Sequence, residues 1–434
     1  MKKYAVVQNA AWILGCRLAH GLLQLLIGTL TARYLGPEDY GLIHYAASVT
    51  AFAVPVMQLG LSATLVREYV ESPRQEGEIL GTALVLNLIS GLFCAGSVTI
   101  FCCLAGDRDR TLICALYSIS LIFQATELVQ YRFQAGLQSR YSAPAALWGY
   151  LAVSVYRIWL LATGRSTAWF ALSHSLEFAV GGSILLWQCR RRGLQKLHFS
   201  RKRARDLLSR SRHYISAALL VTCFQNIDHV MLTLVSGEAA NGQYTCAVTC
   251  ANLTGFVFYA LVDSLRPVIL ACRDEPKRFD HTMAGLYGLM IWLGLGQSLA
   301  FTLTARPLVW LLYGPAYAQG AKVLQILVWN TAFSMMGAAR NVWLLAREKH
   351  NLLWRINLTG ALASLGLNAL LIPRLGPSGA AWASVLTQII TNFLVGWMIP
   401  AMAENQALLL KGLDIRSLLH LANVLKNEEK HPVP

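Results

Sequence analysis

Residues 10–32 read AAWILGCRLAHGLLQLLIGTLTA, and residues 33–41 continue as RYLGPEDYG. The first stretch carries a single formal charge, Arg17. As a helix it would reach about 34 Å, enough to cross the roughly 30 Å of hydrocarbon in a bilayer. It is too long for a signal-peptide core and reads as an uncleaved first span. Gly36-Pro37 then breaks the run, and apolar sequence resumes a few residues later.

The same alternation of apolar stretch and short breaker continues to the C-terminal region. Spans are expected near 10–33, 41–66, 79–104, 111–131, 144–163 and 168–188. A second set follows near 214–235, 243–271, 282–304, 321–346, 353–372 and 378–403. A lipid interior offers no water to backbone groups, and these segments are too long for barrel strands, so helix is the span type. The expected fold is an all-α integral membrane protein with about 12 transmembrane helices.

Composition agrees. Of 434 residues, 55% are hydrophobic and 14% charged, where soluble domains carry about a quarter charged residues. The formal net charge is +15, which could suggest a nucleic-acid partner, but its distribution argues for topology. With a cytoplasmic N-terminus, the loops and tails on that side hold about 25 Lys and Arg, against about six on the other. Ten of them lie between Cys189 and His213, a segment poor in the aromatics that nucleic-acid binding would use. Basic residues beside anionic lipid explain it better, with no nucleic acid as partner. Both termini are expected in the cytoplasm.

The ten cysteines lie within or at the ends of spans. No CxxC pair or nearby His completes a zinc site, so they read as small packing residues and no metal is expected.

The chain repeats itself at an offset of about 200 residues, the mark of a duplicated unit. Gly36 and Gly41 in LGPEDYG correspond to Gly237 and Gly242 in SGEAANG, and the stretch from Arg132 corresponds to that from Arg340. The expected organisation is an N-terminal six-helix half (1–188), a basic cytoplasmic linker (189–213), a C-terminal six-helix half (214–403) and an amphipathic cytoplasmic tail (404–434). Six is even, so both halves insert alike, related by a pseudo-two-fold along the membrane normal with a central cavity between them.

Polar residues inside spans suggest what the cavity holds, because an intramembrane charge normally faces water or a partner. Arg17, His20 and Gln24 form one helical stripe with Thr31 beyond. Thr222, Gln225, Asn226, His229 and Thr233 share a face in the equivalent helix, with Asp228 beside it. Arg17 is close enough to its helix end to snorkel, but the matched stripes favour a lining role. Glu177, with His174 one turn away, is mid-span. Asp263 and Arg266 are three residues apart and suited to pairing with each other. Arg132 and Arg340 share a place near the inner mouth, whereas Arg157 and Lys322 are nearer the outer face and expected to snorkel.

The segment 9–70 resembles the opening of bacterial oligosaccharide flippases of the O-antigen and capsular polysaccharide type. These belong to the multidrug/oligosaccharidyl-lipid/polysaccharide exporter superfamily. The signature is A-R-Y-L-G-P-x-x-Y-G, here Ala32 to Gly41, followed by L-G-L…R-E from Leu59 to Glu68. Residues 307–327 and 371–386 are similar to the second half of the same family, and residues 145–225 are the least diagnostic. The resemblance implies movement of a polyprenyl-pyrophosphate-linked oligosaccharide from the cytoplasmic to the outer leaflet of the bacterial plasma membrane, for cell-surface polysaccharide biosynthesis.

It further implies a cationic lumen and coupling to a proton or sodium gradient, with no cofactor. Arg17, Arg340, Arg266 and Gln24 are then the candidate substrate-binding residues, since arginine grips phosphate oxygens in a bidentate fork and stays charged when desolvated. Asp228, Glu177 and His20 are the candidate ion-coupling residues. Membrane lipids and other polysaccharide-biosynthesis membrane proteins are the further partners. A multidrug or metabolite extruder and a lipid II flippase of the same superfamily are the alternatives. An enzyme is not expected, because the outward loops are short and hold no paired carboxylates.

Overall fold

A computed structural model describes residues 2–105, 107–136, 138–193, 195–419 and 421. Among these the chain is helix and connecting turns, with no strand. It divides into two compact units, Met1–Val230 and Met231–Pro434.

Unit 1 opens with continuous helix from Lys2 to Met57 that is interrupted at Gly36. The two parts, 2–35 and 37–57, are α1 and α2. A short helix, Leu65–Glu71, leads to α3 (Glu76–Ala105). A run of helical segments, Arg108–Ala135, makes α4, followed by α5 (Ser139–Thr163) and α6 (Thr167–Arg191). Helix α7 (Arg201–Ser236) crosses the division between the units.

Unit 2 continues with Glu238–Ala251 and Gly255–Ala271, two helices bent by 42° that form one broken span, α8. Next come α9 (Pro276–Tyr313), α10 (318–346, interrupted at Val328), α11 (Leu353–Leu375) and α12 (Pro377–Met398). A short α13 (Ala403–Gly412) follows, and the described residues 416–419 and 421 beyond it are helical too.

Every expected span is mainly helix, although the second, 41–66, overruns the helix end at Met57 and the span 243–271 is broken by a turn at 252–254. Nine described helices are by themselves long and apolar enough to cross a membrane, and the bent α8 pair makes ten. Dividing Lys2–Met57 at Gly36 and joining the two pieces of α10 brings the total to about twelve.

Gly36 explains how one continuous helix holds two spans. Its φ of 74° and ψ of 176° lie in a region essentially closed to residues with a Cβ. Gly237, its partner in the repeat, has φ 87° and ψ 172°. Both halves therefore turn from first to second helix by the same backbone device, which gives the sequence repeat a structural counterpart.

The segment joining the two sets of six spans does more than connect them. Residues 195–200 lie as a strap along the start of α3. The Gly77 amide donates to Gln195 Oε1 at 3.2 Å, and the Ser200 amide donates to Thr82 Oγ1 at 3.1 Å. A Cβ at Gly77 or Gly81 would fall 2.5 or 2.6 Å from the carbonyl oxygens of Lys196 and His198. Glycine at both places is what lets the backbone approach.

Beyond the strap, Arg203 and Arg210 reach the buried Glu68 at 3.3 and 2.8 Å, and Arg203 also donates to Gln75. Two of the linker's basic residues are thus docked by a specific acid. The R-E element of the sequence signature supplies that acid.

The described residues of the tail pack partly inward. Leu408, Leu409 and Leu421 join the core of unit 2, and Asn405 accepts from the Tyr287 hydroxyl at 2.6 Å. Ile415 and Leu419 remain exposed. Eight of the ten cysteines are buried and none is disulfide-bonded, consistent with packing.

Candidate functional site

Unit 1 gathers polar side chains from four helices around Glu177. From α1, His20 Nε2 stands 3.8 Å from Glu177 Oε1. From α6 itself, His174 Nδ1 lies 4.0 Å from Oε2, and from α5 an Arg157 terminal nitrogen lies 3.9 Å from the same oxygen. Three aromatic contacts hold the group in place. Tyr117 of α4 stacks on His174 at 4.1 Å, Tyr150 of α5 meets His20 edge-on at 4.7 Å, and Phe178 packs edge-on against His174 at 5.0 Å.

Arg157 corrects the expectation that it snorkels outward. Its Nε donates to Ser173 Oγ at 2.8 Å and a terminal nitrogen donates to the Tyr150 hydroxyl at 3.4 Å. Its side chain is 16% exposed. A guanidinium in an apolar span turns inward when a carboxylate and two hydroxyl-bearing side chains stand within reach. Sequence reading missed it because Arg157 and Glu177 lie on different helices, and one-dimensional depth suggested a nearby interface.

The separations of 3.8–4.0 Å are those of ion contacts rather than short hydrogen bonds. Glu177 is thus surrounded by one permanent cation and two imidazoles whose charge depends on protonation. Arg157 keeps the Glu177 carboxylate compensated inside the span. Among the described residues no group of three or more His, Cys, Asp or Glu is disposed to hold a metal.

The remaining candidates are seated elsewhere. Asp228 on α7 is buried, and its Oδ1 accepts from the His229 amide at 2.9 Å. Gln24, one turn beyond His20, is exposed. Arg17 falls on α1, and its side chain lies outside the described residues.

In unit 2, Arg340 on α10 is buried and donates to the Thr391 carbonyl and to Asn392 Oδ1, both at 2.8 Å. Both acceptors lie in a π-helical turn of α12, Ile390–Leu394, a geometry that releases carbonyls from the helix ladder. Arg132, its sequence partner, is bound instead by a carboxylate, Glu76, at 2.7 Å. Arg266 pairs with Asp263 at 2.8 Å, as the spacing suggested, and both are well exposed. The substrate-binding candidates of unit 2 therefore occupy separate networks, whereas His20 and Glu177 are brought together.

The profile of the family described as "Polysaccharide biosynthesis protein" matches residues 6–271. The capsular polysaccharide biosynthesis protein CapF of Staphylococcus aureus is 21% identical over 399 residues, covering 89% of this chain and 97% of CapF. The lipid II flippase MurJ, in an inward closed conformation, superposes with a TM-score of 0.75 at 12% identity, over 96% of this chain and 92% of that one. An inward-facing multidrug resistance MATE transporter of the MOP superfamily gives 0.64 at 14% identity, over 94% and 96%. These solved relatives are flippases and transporters, not enzymes, and their likeness is one of fold. The match over more than half the length is to one family throughout, and the chain, a multi-pass helical membrane protein, belongs to the polysaccharide biosynthesis protein family.

Proposed function

We propose that this protein is a flippase that carries a polyprenyl-pyrophosphate-linked oligosaccharide from the cytoplasmic to the outer leaflet of the bacterial inner membrane. The work is done by ion-coupled alternating access. The observation that carries the reading is the family match, joined to the fold of a lipid-linked-saccharide flippase. The Glu177 cluster supports the coupling, because ionisable groups gathered inside membrane spans mark ion pathways and proton relays. Arg17, Arg266 and Arg340, with Gln24, are the groups assigned to the pyrophosphate. The Asp263–Arg266 pair supports an aqueous surface on α8, since exposed charges at mid-helix are costly against lipid.

Reconstitution in proteoliposomes tests this. A fluorescent lipid-linked oligosaccharide placed in one leaflet should change leaflet when a proton or sodium gradient is imposed. Movement of cationic dyes without any lipid-linked saccharide would overturn the proposal in favour of an extruder. The MurJ-like fold keeps lipid II as the second substrate to try; transport of lipid II alone would replace the oligosaccharide. Orientation is checked with single cysteines in a cysteine-free background. One replacing Ala239 should react with impermeant reagents in intact cells, and one replacing Lys202 should not. The opposite labelling would invert the direction of transport.

A further inference from the structure

At the end of unit 1 where the basic segment leaves α6, a cavity of about 680 Å³ opens between α4, α5 and α6. Arg132, Tyr141, Trp187, Gln188, Arg191 and Arg192 line it. We propose that this cavity binds the phosphate head group of an anionic membrane lipid, a site independent of the transport reading.

Charge is the first reason. Three guanidiniums converge there against one carboxylate, Glu76, which holds Arg132. Arg191 and Arg192 have no carboxylate within ion-pair distance among the described residues. Each is braced on an aromatic face instead: Arg191 lies 4.0 Å from the Trp187 ring centre and Arg192 3.2 Å from that of Tyr141. Stacking on a ring fixes the guanidinium plane and leaves its N–H fork free for phosphate oxygens.

The second reason is the form of the donors. Two guanidinium forks held on ring faces present paired N–H groups, which match the two free oxygens of a phosphodiester. The chemistry specified is therefore the phosphodiester of an anionic lipid, such as phosphatidylglycerol.

The third reason selects a lipid over a soluble anion. The cavity lies at the end of membrane-spanning helices, and its rim is aromatic, as residues at the membrane–water boundary are. Trp187 is 52% exposed, and Trp148, two helical turns along α5 from Tyr141, is 59% exposed. An acyl chain leaving the cavity would run over Trp148.

The test uses full-length protein in mild detergent, titrated with phosphatidylglycerol or phosphatidylcholine and read by native mass spectrometry. The Arg191→Gln/Arg192→Gln pair should weaken phosphatidylglycerol binding about tenfold or more, as loss of two charge-assisted contacts would. Phosphatidylcholine binding should not change. An Arg190→Gln/Arg201→Gln pair removes the same charge from exposed positions outside the cavity and should retain the affinity. Equal weakening by both pairs would mean a diffuse basic surface and overturn the site, as would unchanged binding in the first pair. Competition by millimolar inorganic phosphate as effective as that by phosphatidylglycerol would reassign the cavity to a free anion and overturn the lipid. Arg191→Lys/Arg192→Lys should recover part of the affinity, which a misfolded variant would not.

Discussion

The imidazole of His20 stands 3.8 Å from the carboxylate of Glu177, joining the first helix of unit 1 to the sixth. Any change in the charge of either group is therefore felt as a change in how α1 packs on α6. If this contact couples transport to an ion gradient, Glu177→Gln and His20→Gln should abolish gradient-driven flipping while lipid-linked substrate still binds. Asp228→Asn should do the same if the acid on α7 takes part. Flipping assays at several pH values decide the matter: wild-type rates with unchanged pH dependence in these variants would make the groups structural.

Arg157 and Glu177 should be energetically coupled. Arg157→Gln removes the permanent cation beside a mostly buried carboxylate and the donor to Ser173, a loss of about 1–3 kcal/mol. A lower thermal inactivation midpoint in detergent is the expected reading. The Arg157→Gln/Glu177→Gln double variant should lose less than the sum of the two single variants, because the second change removes the charge that the first left uncompensated. Strict additivity would show that the two do not interact.

The strap over α3 should depend on Glu68. Glu68→Gln keeps the side chain's size but removes the charge facing Arg203 and Arg210, and Gly81→Val drives side-chain atoms into the His198 carbonyl. Each should raise protease cleavage and amide exchange across residues 195–200, with about tenfold faster exchange for each 1.4 kcal/mol of docking lost. Exchange at the wild-type rate in both variants would show that the segment is not held by these contacts.

The cationic groups should separate by surroundings. Arg17→Gln should sharply reduce glycan export at normal abundance, and Arg17→Lys should retain a part, because a point charge survives without the bidentate fork. Arg266→Gln should cost less, since Asp263 already engages the guanidinium. Arg340 is buried on neutral acceptors, so Arg340→Gln should lower both abundance and export. Full export by the Arg17→Gln/Arg340→Gln variant at wild-type expression would rule out the cationic path.

Much of this protein could be read from one dimension, because a bilayer imposes a one-dimensional rule. An apolar run of sufficient length must be helix, and its breakers must be turns. The roughly twelve helical spans, the repeat marked by Gly36 and Gly237, and the packing role of the cysteines all follow from local chemistry. A φ near +80° at those glycines is a property of the residue and its immediate neighbours. Side-chain direction around a helix is not. Depth along the helix sent Arg157 outward to the interface, but the choice was settled by Glu177, Ser173 and Tyr150, which the fold brings within 4 Å. Charge composition identified residues 189–213 as a basic segment, but only tertiary packing put Glu68 beneath Arg203 and Arg210. The same holds for the equivalence of Arg132 and Arg340: the repeat aligned them, and their different neighbours, Glu76 for one and a π-helical turn for the other, made one an ion pair and the other a buried donor to neutral oxygens. Hydrophobicity sums along a chain, whereas a charge is stabilised by whatever lies next to it in space.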